Sequence, residues 1–184
     1  LGTMLNLPVN NKLQFRFSCS ILQSDGFRYN KFRESSDSNK KDEQFIRVKL
    51  NYKPLKNFKV LGTLIYAELD NGYDSWAPDN NTDYHTYSDD NGEDSQKTLG
   101  GSFRINLNSS NKYKFTSISA YTKTNLIHSY DGDWANDQYW YSNHGFDSQV
   151  EGWSYKFFDK NDKERKSTSQ DFRLSIHDLI LGVF

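Results

Sequence analysis

The feature that most constrains this chain is strict period-two alternation sustained over long segments. In Leu13-Gln14-Phe15-Arg16-Phe17-Ser18-Cys19-Ser20-Ile21 every odd position is apolar and every even position is polar. Successive side chains of a β-strand point to opposite faces, so this pattern predicts a strand with one greasy and one wet face. Ile46, Val48, Leu50 and Tyr52 alternate with Phe45, Arg47, Lys49 and Asn51. Leu99, Gly101, Phe103, Ile105 and Leu107 alternate with Thr98, Gly100, Ser102, Arg104 and Asn106, and Phe172, Leu174 and Ile176 with Asp171, Arg173 and Ser175. Segments 58–69 and 113–127 are rich in β formers, but their faces are not legible. No segment carries a helical period. The expectation is an all-β chain with an antiparallel meander of about six long strands.

Strand length and loop length sharpen this expectation. The six segments run to roughly 9–14 residues, against about 5–6 for an ordinary strand. Eleven residues span about 36 Å; tilted by about 45° they rise about 25 Å, the height of the apolar band of an outer-membrane barrel. The connections alternate. Lys53-Pro54-Leu55-Lys56-Asn57 and Asn108-Ser109-Ser110-Asn111-Lys112 are short and made of turn formers, whereas 25–41, 70–96 and 128–166 are long. Short turns at one end and long loops at the other are the signature of a transmembrane β-barrel. Pro8, Pro54 and Pro78 are expected outside the strands, because proline cannot donate to a ladder.

Composition agrees. The 184 residues are only 35% hydrophobic but 16% aromatic, with net charge −1 and one cysteine, and mean hydropathy is −0.89. One cysteine excludes a disulfide scaffold. The longest mainly apolar stretch, Val60 to Ala67, is far short of the 18 or so residues of a membrane-crossing helix. A near-neutral chain argues against nucleic acid as partner. In a barrel the apolar faces meet membrane lipid, and Arg16, Arg47, Lys49, Arg104 and Arg173 line a polar lumen. Six strands are too few to close such a barrel. The chain opens on Leu1 and stops within the apolar run 179–184, so residues 1–184 read as part of a larger barrel domain.

Chemistry-bearing residues are sparse. There is no nucleophile elbow, no zinc-helix motif and no phosphate-binding glycine loop, so catalysis is not expected and no cofactor is implied. Cys19 falls on an apolar strand face and reads as a small hydrophobe. The four histidines have no zinc spacing. Asp131, Asp133 and Asp137 are candidate metal ligands, although the spacing lacks the turn glycine of an EF-hand. Between Glu68 and Gln96 lie nine acidic residues and no Lys or Arg. The loop around 130–158 is crowded with aromatics. Trp134, Tyr139, Trp140, Tyr141 and Trp153 are the candidate ligand contacts, because aromatic faces stack on sugars and planar chelates. The same loop packing on itself is the competing expectation.

Several segments resemble TonB-dependent outer-membrane receptors. These are Leu13 to Phe27, Arg47-Val48-Lys49-Leu50-Asn51-Tyr52-Lys53-Pro54, Leu69-Asp70-Asn71-Gly72-Tyr73-Asp74, Gly92 to Gly101, Phe115 to Tyr121, Tyr130-Asp131-Gly132-Asp133-Trp134 and Ser169 to Leu174. The resemblance implies a 22-stranded barrel around an N-terminal plug, located in the bacterial outer membrane. It implies uptake of a scarce nutrient, most often a ferric siderophore, energised by the TonB protein through the plug. Segment 176–184 departs from the pattern, and residues 1–184 show no TonB box, no plug and no terminal strand of the family's kind. The alternative is a soluble all-β carbohydrate-binding module with two packed sheets and a stacking platform of Trp134, Trp140 and Trp153.

Overall fold

A computed structural model describes residues 1–109 and 112–184. Ten strands and two short helices follow one another: β1 (Gly2–Pro8), β2 (Leu13–Ser24), β3 (Tyr29–Asn30), β4 (Lys41–Leu55), β5 (Phe58–Gly72), β6 (His85–Thr86), β7 (Glu93–Asn108), β8 (Tyr113–Asp131), α1 (Asp137–His144), α2 (Ser148–Glu151), β9 (Phe158–Ile176) and β10 (Leu179–Val183). Eight of the strands form one antiparallel sheet in the order β1-β2-β4-β5-β7-β8-β9-β10. The sheet is open. β3 and β6 form a separate two-residue parallel pair.

Six long strands include the six expected segments, but β8 and β9 run on into the expected loop 128–166 and shorten it to 132–157. Two shorter ones, β1 and β10, extend the meander at its edges, so the main sheet has eight strands rather than six. The segment 176–184, the poorest fit to the receptor pattern, is the hairpin partner of β9, with Leu181 opposite Leu174 and Val183 opposite Phe172. The prolines correct another expectation. Pro8 closes β1 and Pro54 lies inside β4. Pro54 is tolerated there because the β4–β5 register shifts between Tyr52 and Leu55, an irregularity of the kind that frees a position from donating to the ladder. Of the turn 108–112, Ser110 and Asn111 lie outside the described residues.

The register assigns every face. One row runs Leu5, Phe17, Val48, Leu64, Gly101, Tyr121 across six neighbouring strands, and the next runs Leu7, Phe15, Leu50, Gly62, Phe103. Segments 58–69 and 113–127 are thereby placed: Val60, Leu64, Tyr66, Phe115 and Tyr121 share this apolar face. Nothing packs against it. Leu5, Leu7, Phe17, Leu64, Leu99, Phe103, Phe115, Tyr121, Phe172 and Leu181 are all exposed, and Val60 and Ala135 are the only buried apolar residues among those described. A soluble sandwich would bury these positions against a second sheet; this sheet has no facing layer.

The apolar band has a defined edge. Beyond it the same face carries the row Gln44, Glu68, Lys97, Asn125, Glu164. Here Lys97 pairs with Glu68 at 2.7 Å, and Glu164 bridges Lys123 at 2.7 Å and Lys166 at 2.6 Å. The stretch Leu99 to Leu107 covers about 30 Å along its strand. The strands are also staggered. The row that starts at Leu13, the first residue of β2, passes through Tyr52, Val60, Ile105 and Ser117 and reaches Phe172, well inside β9. Such slippage accompanies strand tilt in coiled and closed sheets.

The opposite face is polar and cationic. Arg16 stands beside Lys49, Ser18 beside Arg47, Leu61 beside Arg104 and Thr116 beside Arg173. All five predicted lumen cations are therefore on one face, joined by Lys59 and Lys114. Asp171 is the one acidic residue in these rows. It pairs with Arg173, the one ion pair these cations make among the described residues. Arg47 Nε is buried without a hydrogen-bond partner.

Candidate ligand-contact surface at the long-loop end

The three long connections, 25–40, 73–92 and 132–157, lie at the same end of the sheet, as an antiparallel meander requires. No helix among the described residues is long and apolar enough to cross a membrane. What holds these loops together is polar. Asn30 and Thr86 are fully buried. The Asn30 amide donates to Asp74 Oδ2 at 3.0 Å and to the Ser88 carbonyl at 2.9 Å, and its own oxygen accepts from Phe32 N and Arg33 N. Thr86 Oγ1 donates to Asp74 Oδ2 at 2.6 Å and Ser88 Oγ to Asp74 Oδ1 at 3.1 Å. Asp74 thus receives three donors, which compensates its burial. The β3–β6 pair sits on this knot and ties the first loop to the second.

A second knot joins the second loop to the third. The Asp89 N–H donates to Asp131 Oδ2 and to the Ala135 carbonyl, both at 3.1 Å. The Asn136 amide donates to the Tyr87 carbonyl at 2.7 Å, while its oxygen accepts from Tyr139 N and caps α1. Tyr87 lies 4.6 Å from the Tyr139 ring and donates to Asp79 Oδ2 at 2.6 Å; burial and that carboxylate push its hydroxyl pKa up.

The candidate metal ligands take part in these contacts. Asp131 Oδ1 accepts from Asp133 N and Trp134 N; Asp133 accepts from Ala135 N, Trp140 Nε1 and Phe157 N. Their oxygens thus accept from backbone N–H groups of both loops and from the Trp140 indole. Asp137 is elsewhere, in the first turn of α1. No group of three or more His, Cys, Asp or Glu among the described residues is placed to hold a metal ion. Burial, reinforced by the Asp133 charge, pushes the Asp131 carboxyl up to about 7. Burial also raises Asp89, with Asp90 and Asp133 adding to it.

The aromatic loop divides into two groups. Trp140 stacks on Tyr155 at 4.6 Å, Trp153 packs on Phe146 and Tyr155, and Tyr139 sits between Tyr87 and Trp140. The loop thus builds its own small aromatic core, closed by α1 and α2. These helices are a correction, since no helix was expected. Their signal was present in the caps: Asn136 before α1 with left-handed Gly145 after it, and Asp147 before α2 with left-handed Gly152 after it. They lack an apolar period because neither helix buries a residue.

The second group faces outward. Trp134, Tyr141 and Trp153 are exposed. Trp134 stands 6.1 Å from Trp76 of the second loop, with the indoles tilted by 32°. Trp76 is exposed as well and was not among the expected contacts. Its signal was only its position in an acidic loop; the pairing arises across sequence. A similar pair, Phe27 and Tyr84, joins the first two loops at 5.5 Å. Trp140 and Trp153 both pack on Tyr155, Trp153 with part of its ring exposed, whereas Trp134 pairs with Trp76. Comparison with protein-family models, with curated proteins and with solved structures finds no match.

Proposed function

We propose that this chain forms part of the wall and outer loops of a bacterial outer-membrane transport receptor of the TonB-dependent kind, a β-barrel that captures a scarce nutrient, such as an iron chelate, and imports it with energy relayed through a plug domain. The observation that carries the reading is the unsatisfied apolar face. A row of Leu, Phe, Val and Tyr side chains across the whole sheet is exposed, while the face behind it is polar and cationic. In water a contiguous apolar surface of this kind would drive aggregation. Against lipid it is stable, and the polar face then meets a hydrated lumen. The charged rows that border the band, the four short hairpins at one end and the three structured loops at the other fit the same orientation.

In this reading the loops contact the nutrient first, lipid surrounds the apolar band, and the cationic face is the inner wall. The test is fractionation of the full-length protein together with electrophoresis before and after heating. Recovery in the outer membrane with a heat-dependent mobility shift is expected. Recovery in the soluble periplasmic fraction would overturn the reading.

A further inference from the structure

The loop end carries an aromatic pair that costs backbone strain to display. Trp134 has φ of 63°, a left-handed conformation that bulky residues rarely adopt. It is held there from both sides. Its N–H donates to Asp131 Oδ1, the next residue Ala135 is fully buried, and Asn136 is anchored on the Tyr87 carbonyl. Strained residues persist where the surroundings over-determine them, and they cluster at binding sites. The result here is specific: the indole of Trp134 is turned outward, beside the exposed indole of Trp76 from another loop, 6.1 Å away. A tryptophan that served only to fill a loop interior would be buried, as Trp140 partly is.

The two segments that supply this pair are predominantly acidic, whereas the first loop tied to them carries Arg28, Lys31, Arg33 and Lys40. Segments 73–92 and 132–157, which supply the two indoles, contain Asp74, Asp79, Asp83, Asp89, Asp90, Asp133, Asp137, Asp147 and Glu151 against a single Lys156. Such a surface raises the local concentration of cations and lowers that of anions. An indole face also attracts a cation through its quadrupole, best of all the aromatic rings.

We propose that Trp76 and Trp134 form an aromatic platform that binds the positively charged part of the molecule captured at this surface. The inference rests on the receptor reading and narrows it: the cargo class is a cationic or zwitterionic molecule with an exposed ammonium group, rather than a polyanionic chelate.

Two probes of one size and opposite charge test it. Benzyltrimethylammonium and benzylsulfonate are titrated against the full-length protein in detergent by calorimetry and saturation-transfer NMR. The cation is expected to bind saturably and about tenfold or more tighter than the sulfonate, and to weaken as salt rises. W76A and W134A are each expected to lower cation affinity by about fivefold or more, whereas W76F retains most of it. Trp76 is exposed with no hydrogen bond, so W76A leaves the fold intact. Equal binding of the two probes, no saturable cation binding, or indifference to W76A would overturn the platform. Fractionation of the same samples keeps the two readings apart. A heat-modifiable outer-membrane protein that ignores the cation loses only the platform; a soluble protein that binds it loses only the receptor.

Discussion

Asn30 and Asp74, far apart in sequence, meet at 3.0 Å in the interior of the outer loops, with Asn30 fully buried. The pair is the centre of a knot that includes Thr86, Ser88 and the backbone of Phe32 and Arg33. It substitutes for a hydrophobic core at this end of the molecule. Replacing Asn30 by Ala leaves Asp74 and the Ser88 carbonyl short of a donor and two N–H groups short of an acceptor. The expected cost is about 2–4 kcal/mol, localised to segments 25–40 and 73–92. Amide exchange of the full-length protein should show these loops opening while β4, β5 and β7 stay protected. Equal loss of protection in those strands would contradict a loop-confined role.

The carboxyl of Asp131 predicts a pH dependence of the second knot. Its folded pKa is raised to about 7 from the ordinary aspartate value of about 4, because burial and the Asp133 charge disfavour the ionised form. Between these values the folded state binds more protons than the unfolded state, so stability falls as pH rises from about 4 to about 7 and is level above. Asp89, also raised, acts in the same direction. In Asp131→Asn this part of the slope should disappear. Trp134 fluorescence and exchange at Asp133 and Trp134, followed from pH 4 to pH 9, provide the measurement. An unchanged slope in the variant would assign the effect to other groups.

Neighbouring positions on β5 should respond to the same substitution with very different costs. Leu64 lies in the apolar band and is exposed; Thr63 is on the cationic face opposite Lys49 and Ser102. In a bilayer Leu64→Arg should cost about 2–4 kcal/mol and Thr63→Arg under about 1 kcal/mol. Refolding the full-length variants into lipid vesicles under urea measures both. Equal tolerance at the two sites would argue against lipid contact.

The helix ends of the third loop make a conformational prediction. Gly145 has φ of 70° and Gly152 of 77°, and a Cβ built on either meets nothing within 4 Å. Ala at each site should therefore cost about 1 kcal/mol from backbone conformation alone, seen as faster exchange in α1 and α2. Gly92→Ala is a different case. Its Cβ would collide with the Tyr73 carbonyl, whose residue pairs back to Gly92 across the base of the second loop. It should disturb the whole loop.

Much of this molecule follows from the chain alone, because strand faces are a local property. Period two placed Arg16, Arg47, Lys49, Arg104 and Arg173 opposite the apolar positions before any pairing was known, and the register put all five on one surface. Where alternation was blurred, in 58–69 and 113–127, pairing supplied the answer: Leu61 and Ile65 share the face of the cations, and only the neighbouring strands reveal that. β1 and β10 were not legible because short edge strands derive their conformation from a partner already in place. The two helices depend on caps rather than on an apolar stripe.

The arrangement of the loop aromatics was decided by tertiary structure. Composition identified the aromatic loop but could not separate rings that fill its interior from rings that face out. Trp140 stacks on Tyr155, whereas Trp134 is turned outward by a left-handed residue and meets Trp76 from another loop. Likewise the carboxylates of Asp131 and Asp133 look like metal ligands in sequence. The fold aims backbone N–H groups at them, which makes both carboxylates acceptors within the loop knot.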